Sequence, residues 1–191
     1  MGNFKSIRAR MLAFILPVII IAMTALTLIS ALSSRKIISE EISEKKKKEL
    51  YAQKKDIMAN LEAVSGTART ISRTVGTSYK STDIKVYEKM LAQIINDNEL
   101  ITGSGIWFEP NVFDSSQKYM GPYVYKDGSG SKVTYEYSNA DYDYFSQDYY
   151  KNAKNSKDAV FTDPYYDKTS GTIMSSCSMP IFDENNKFIG C

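Results

Sequence analysis

Histidine is absent from the 191 residues, which removes Ser-His and Cys-His nucleophile pairs, imidazole acid-base chemistry and the commonest metal ligand together. Cysteine is scarce as well. Cys177 and Cys191 give neither a disulfide framework nor a thiolate metal site. A charge excess is also missing, since 24 Lys and Arg against 22 Asp and Glu leave a formal +2. No nucleic-acid partner is therefore expected, nor is any metal or cofactor. What remains is 43% apolar with 12% aromatics, the composition of a globular chain long enough for one domain and an appendage.

The appendage is at the N-terminus. Met11 to Leu32 runs 22 residues without a charge, about 33 Å of helix at 1.5 Å per residue, enough to cross a hydrocarbon core of roughly 30 Å. Pro17 is tolerated in a membrane helix. A secretory signal peptide is the competing reading, because Lys5, Arg8 and Arg10 form a basic leader and Ala31-Leu32-Ser33 resembles a cleavage site. Its apolar core would be only about 7 to 15 residues, so an uncleaved anchor is expected. Positive charge does not set the orientation, because Arg35, Lys36 and Lys45 to Lys48 follow the span.

Beyond the span, apolar residues recur at Leu50, Ile57, Leu61, Val64, Ala68, Ile71 and Val75, with steps of 4, 3, 4, 3 and 4 from Ile57 onward. This is a heptad seam on a long helix and predicts a homodimer through it. One amphipathic helix covering a sheet would carry the same stripe, and the two uses are compatible. Thr82 and Asp83 offer an N-cap for a second helix with Ile84, Tyr87, Leu91 and Ile94 on one face, ending at Asn96 to Glu99.

Strands follow. Ile101 to Phe108 reads as the first, and Tyr119 to Lys126 and Val133 to Tyr137 alternate about Asp127-Gly128-Ser129-Gly130, a hairpin signal. A strand ending in Thr162-Asp163-Pro164-Tyr165 comes next. Thr172 to Phe182 and Lys187 to Cys191 form a last hairpin around Glu184-Asn185-Asn186. Pairing Glu184 with Lys187 sets the two cysteines about 10 Å apart on opposite faces, so no disulfide is expected between them. Helices first and antiparallel strands afterwards give an α+β fold with one sheet.

Eleven of the 14 tyrosines fall between Tyr119 and Tyr166. Tyrosine suits half-buried strands, so sheet packing accounts for most of them. It does not account for Tyr142, Gln147, Tyr149, Tyr150 and Tyr165, which fall on helix and loop segments between Asp141 and Asp167. Aromatic walls with a few amides and carboxylates suit a small polar ligand, a cationic one above all. Asp141, Asp143, Asp163 and Asp167 are the one dense acidic set, and an anchored extracytoplasmic hydrolase would have to draw its paired carboxylates from it. Loop acids are more often solvated turn formers.

The order of membrane anchor, long stalk helix, Ile106-Trp107-Phe108, Tyr149-Tyr150-Lys151-Asn152-Ala153, Thr162-Asp163-Pro164-Tyr165 and Phe188-Ile189-Gly190 resembles the N-terminal part of the double Cache sensor domain of bacterial methyl-accepting chemotaxis proteins. The resemblance implies a PAS-like antiparallel sheet, incomplete at the C-terminus, behind a transmembrane helix and a long stalk helix. The implied layout is a cytoplasmic segment at 1–10, the transmembrane helix at 11–32, an extracytoplasmic stalk at 33–80 and a membrane-distal ligand module at 81–191. It implies no catalysis, and a small polar ligand, an amine or amino-acid-like, held by Trp107, Tyr142, Gln147, Tyr149, Tyr150, Asp163 and Tyr165. Amino-acid-binding members carry Arg where this chain has Gln147, and a neutral amide donates more weakly to a carboxylate. The input part of a histidine kinase or a diguanylate cyclase would read the same way.

Overall fold

The computed structural model describes residues 7–128, 130–167 and 172–191. The expected cytoplasmic segment falls mostly on residues 1–6, outside them, and so do Ser129 in the first hairpin turn and residues 168–171. The chain divides into two compact units, Met1–Asp56 and Ile57–Cys191. In the first unit every described residue belongs to the helix α1 (Ile7–Ser78), which continues through Pro17. Its apolar stretch from Met11 is long enough to cross a membrane, and its side chains are exposed, Phe14 by 78%.

In the second unit the last turns of α1 cover a sheet. Ile71 and Val75 are buried, whereas Leu50 and Ile57, earlier on the same stripe, are exposed. Gly76 allows this close approach, because a Cβ there would lie 2.3 Å from the carbonyl oxygen of Phe182. Ser72 Oγ donates to the Pro180 carbonyl at 2.6 Å. Helix α2 (Ile84–Asn96) starts where the Asp83 carboxylate accepts from the Lys85 N–H, and it buries Tyr87, Glu88, Leu91 and Ile95.

Strands β1 (Gly103–Gly105), β2 (Tyr123–Asp127) and β3 (Gly130–Thr134) form an antiparallel sheet in that order. The first strand is shorter than Ile101 to Phe108, but its hydrogen bonding continues past Gly105. Ile106 and Phe108 donate to Pro122 and Met120, while Trp107 and Glu109 donate to Cys191 and Ile189 on the other side. That alternation joins β9 (Phe188–Gly190) and its partner β8 (Ile181–Phe182) to the sheet through the backbone of residues 106–109. Ile106, Phe108, Val124, Ile181 and Ile189 pack with α1 and α2 in one apolar core. The opposite face carries the aromatic cluster described below.

The expected strand from Thr172 to Phe182 is broken into β6 (Thr172–Met174), β7 (Cys177–Ser178) and β8, pairing with β5 (Tyr165–Asp167), β4 (Val160–Phe161) and β9 respectively. Pro180, without an N–H, stands just before β8. Thr162 to Pro164 lie between β4 and β5 rather than in a strand. In the last hairpin Asp183, not Glu184, faces Lys187, with its N–H donating to the Lys187 carbonyl at 2.9 Å. Asp183 Oδ1 accepts from the N–H groups of Asn185 and Lys187, and Asn186 turns left-handed at φ 61. A register shift between Ile181 and Phe182 then brings Ile181 opposite Gly190, and Cys177 belongs to β7, which pairs with β4 instead of β9. Both free thiols line one cavity of about 50 Å³ beside Ile71 and Trp107.

Candidate functional site

The site grows from strand parity. On the sheet face away from α1 and α2, Trp107 follows Gly105 by two residues, and Tyr123 sits on the neighbouring strand with its ring 6.1 Å from the indole. Tyr123 meets Tyr137 at 5.4 Å and Tyr137 meets Tyr142 at 4.9 Å, both edge to face. Tyr149 closes the other flank, its ring 5.1 Å from Trp107. Together these five rings make a continuous aromatic wall, and favourable edge contacts between them fix its shape.

Two short helical segments hold the wall. A 3-10 turn spans Tyr144–Ser146 and helix α3 spans Asp148–Lys154, with Asp148 in its first turn and Lys151 and Lys154 in its last, each sign favourable to the helix dipole. Tyr144 is fully buried. Its hydroxyl donates to the Phe108 carbonyl at 2.6 Å and accepts from the Met120 N–H at 3.1 Å, so the 3-10 turn is tied to two sheet segments at once.

The seven residues expected to meet a ligand do not all gather. Trp107, Tyr142 and Tyr149 come together in the wall. Tyr165 is 41% exposed, with its hydroxyl 2.8 Å from Ser176 Oγ. Gln147 Nε2 donates to the Tyr142 carbonyl at 3.0 Å, so this amide braces the wall. Tyr150 turns the other way. It is buried against Tyr144, Phe145 and Phe188, and its hydroxyl donates to Glu109 Oε1 at 2.7 Å, an oxygen shared with Lys154 Nζ at 2.8 Å. Helical geometry gives the reason, since adjacent positions on α3 point about 100° apart and only one of the pair can face Trp107. Asp163 is exposed between β4 and β5.

Electrostatics add one residue that sequence reading placed only among the acids. Burial pushes the Tyr123 phenol up to about 12, and Tyr137, Tyr165, Asp167 and Tyr142 add to the shift. Tyr142 is raised for the same first reason, with Asp167 again contributing. Asp167 on β5 therefore acts on the wall. A Tyr-x-Asp step along one strand, Tyr165 to Asp167, was the available signal, because alternate residues share a face. Tyr149 and Tyr150 are raised well above the ordinary phenol range, burial being the largest cause for both. Tyr123, Tyr142 and Tyr149 are thus uncharged at neutral pH.

Known proteins agree with this architecture. A family model described as methyl-accepting chemotaxis protein-like, first PDC sensor domain, matches residues 87–191. The solved structure of methyl-accepting chemotaxis protein X superposes with a TM-score of 0.64 at 23% identity, covering 75% of this chain and 58% of that one. The extracellular domain of mmHK1S-Z3, a protein assigned as a histidine kinase, has a TM-score of 0.58 at 29% identity over 71% of this chain and 51% of its own. The ligand-binding domain of the Campylobacter jejuni chemoreceptor Tlp3, solved with 4-methylisoleucine, shares the fold with a TM-score of 0.51 at 13% identity, covering 70% and 50%. No curated protein shows significant similarity. The chain spans between about half and three fifths of the solved domains it matches. With two helices behind an antiparallel sheet and an aromatic wall in front, this chain belongs to the methyl-accepting chemotaxis protein-like family of first PDC sensor domains.

Proposed function

We propose that this chain is the extracytoplasmic, ligand-sensing part of a transmembrane chemoreceptor, anchored by the apolar stretch of α1 and dimerising through the helix that follows it. The observation that carries the reading is the aromatic wall on the sheet face opposite α1 and α2, built by Trp107, Tyr123, Tyr137, Tyr142 and Tyr149 within the family-matched region. Such a wall binds a small polar molecule with a cationic group. Ligand closure would move the sheet against the end of α1, through Gly76 and Ser72, and bias the dimer between two arrangements. The domain itself performs no catalysis.

A histidine kinase input is the second reading, favoured by the 29% identity to the mmHK1S-Z3 extracellular domain. The two share a ligand site and differ in the output. Trp107 is the chain's sole tryptophan, so its emission reports on the wall directly. Titration of the membrane-reconstituted chain with a panel of small amines, amino acids and organic acids is expected to change that emission and raise the melting temperature for at least one compound. A panel without any response, together with hydrolytic turnover lost on Asp167→Asn, would overturn the sensor reading.

A further inference from the structure

A second seam runs along α1, one residue on from the apolar stripe. Arg69, Ser72 and Gly76 follow Ala68, Ile71 and Val75, and their spacing puts them on one face of the helix. Each grips a segment downstream of α3. Gly76 admits the Phe182 carbonyl and Ser72 holds the Pro180 carbonyl, while Arg69 Nη2 donates to Asp158 Oδ1 at 2.8 Å across 89 residues of sequence. Among the described residues this is the one ion pair that joins α1 to another part of the domain.

Asp158 is presented by a turn that does not depend on Arg69. The Ser156 hydroxyl donates to the Asp158 carbonyl at 2.8 Å and accepts from the Asp158 N–H at 3.1 Å, and Asp158 Oδ1 also accepts from the Ala159 N–H at 2.8 Å. The Ser156 N–H donates to the Ala153 carbonyl in the last turn of α3 at 3.0 Å. The carboxylate is thus carried by the helix that sets Tyr149 against Trp107. The contact itself lies in water. Asp158 is 68% exposed and Arg69 32%, so the pair adds little to stability and is screened by salt. The links through Ser72 and Gly76 are buried and uncharged, and salt does not screen them.

We propose that Arg69 and Asp158 form an ionic-strength-sensitive clasp, closed at low salt to tie α3 to α1 and open at high salt to free α3 while the buried links keep α1 on the sheet. Arg69 is then a positioning residue for the aromatic wall, acting through the turn and α3 on Tyr149. The response needs no ligand, so it stands or fails separately from the sensor reading. The test is hydrogen exchange over residues 148–159 of the full chain in nanodiscs, with NaCl raised from about 10 mM to 1 M so that the Debye length falls from roughly 30 Å to 3 Å. Exchange in wild type is expected to rise roughly two- to fivefold, the span an exposed ion pair carries, with a parallel change in Trp107 emission. Arg69→Gln is expected to exchange at the fast rate already in low salt, to lose the salt response and to keep its melting temperature within about two degrees. Arg69→Lys retains the charge and is expected to retain the response. A wild type indifferent to salt overturns the proposal, as does a response that Arg69→Lys abolishes. A response that survives Arg69→Gln overturns it too, because the pair between Lys154 and Glu109 would then carry it. An Arg69→Gln variant that melts many degrees lower also overturns it, since the pair would then be a structural support and not a clasp.

Discussion

Tyr144 shows how one hydroxyl can hold a site that it does not face. It bridges the Phe108 carbonyl and the Met120 N–H while its ring is fully buried. Tyr144→Phe leaves both backbone groups unpaired, and a loss of about 1–3 kcal/mol is expected from desolvated partners of this kind. Urea unfolding measures it, and an unchanged midpoint would mean that water replaces the hydroxyl. The cysteines make a second residue-scale prediction. Burial pushes the Cys177 thiol up to about 11 and raises Cys191 further. Since the thiolate is the nucleophile, iodoacetamide is expected to label the folded chain slowly at pH 8 and faster as the pH approaches 11, Cys177 before Cys191. Rapid labelling of both at pH 8 would contradict the burial assigned to them.

At the scale of elements, α1 divides its apolar stripe between two duties. Ile71 and Val75 lie in the core, while Leu61 is 36% exposed and Ile57 59%. A single seam from Leu50 to Val75 is therefore not free for a partner helix. Ile71→Asp buries an unpaired charge and is expected to lower the melting temperature of the domain by many degrees. Leu61→Asp is expected to leave the melting temperature within about two degrees, as surface changes do, and to reduce crosslinking of the anchored chain. Equal crosslinking of wild type and Leu61→Asp would remove this helix as the dimer contact. Helix α3 divides its duties in the same way, with Tyr149 on the wall and Tyr150 latched to Glu109 and Lys154.

Across the whole molecule, burial sets the response to pH. Tyr123 is raised from 10 to about 12 and Cys177 from 9 to about 11, so above pH 9 the folded state holds protons that the unfolded state releases. Stability is then fully present below pH 9 and falls as the pH rises toward 12, the sign that linkage requires. Urea midpoints between pH 7 and 11 are expected to be flat and then decline, and a midpoint that rises with alkalinity would contradict the buried wall. Membrane attachment is tested separately. The product is expected to stay in membranes through a carbonate wash and to keep its original N-terminus, whereas a mature N-terminus near Ser33 would make Met11 to Leu32 a signal peptide.

Local chemistry carried much of the fold. The uncharged run from Met11 to Leu32, the Asp83 cap ahead of Ile84–Asn96 and the turn about Gly128 were legible because each depends on neighbours in sequence. The order of helices before antiparallel strands was legible for the same reason, and so was the clustering of tyrosines after Tyr119. Tertiary structure decided what those tyrosines do. Which of Tyr149 and Tyr150 faces Trp107 depends on how α3 lies on the sheet, and the Glu109 carboxylate that takes Tyr150 is 41 residues away. Gln147 became a brace because the 3-10 turn brings its Nε2 to the Tyr142 carbonyl five residues back. Pairing of 106–109 with 189–191 set Trp107 between Gly105 and Gly121 and left its indole N–H without a hydrogen-bond partner among the described residues. A sequence fixes which groups can donate and accept, but only packing between distant segments decides which of them stay unpaired.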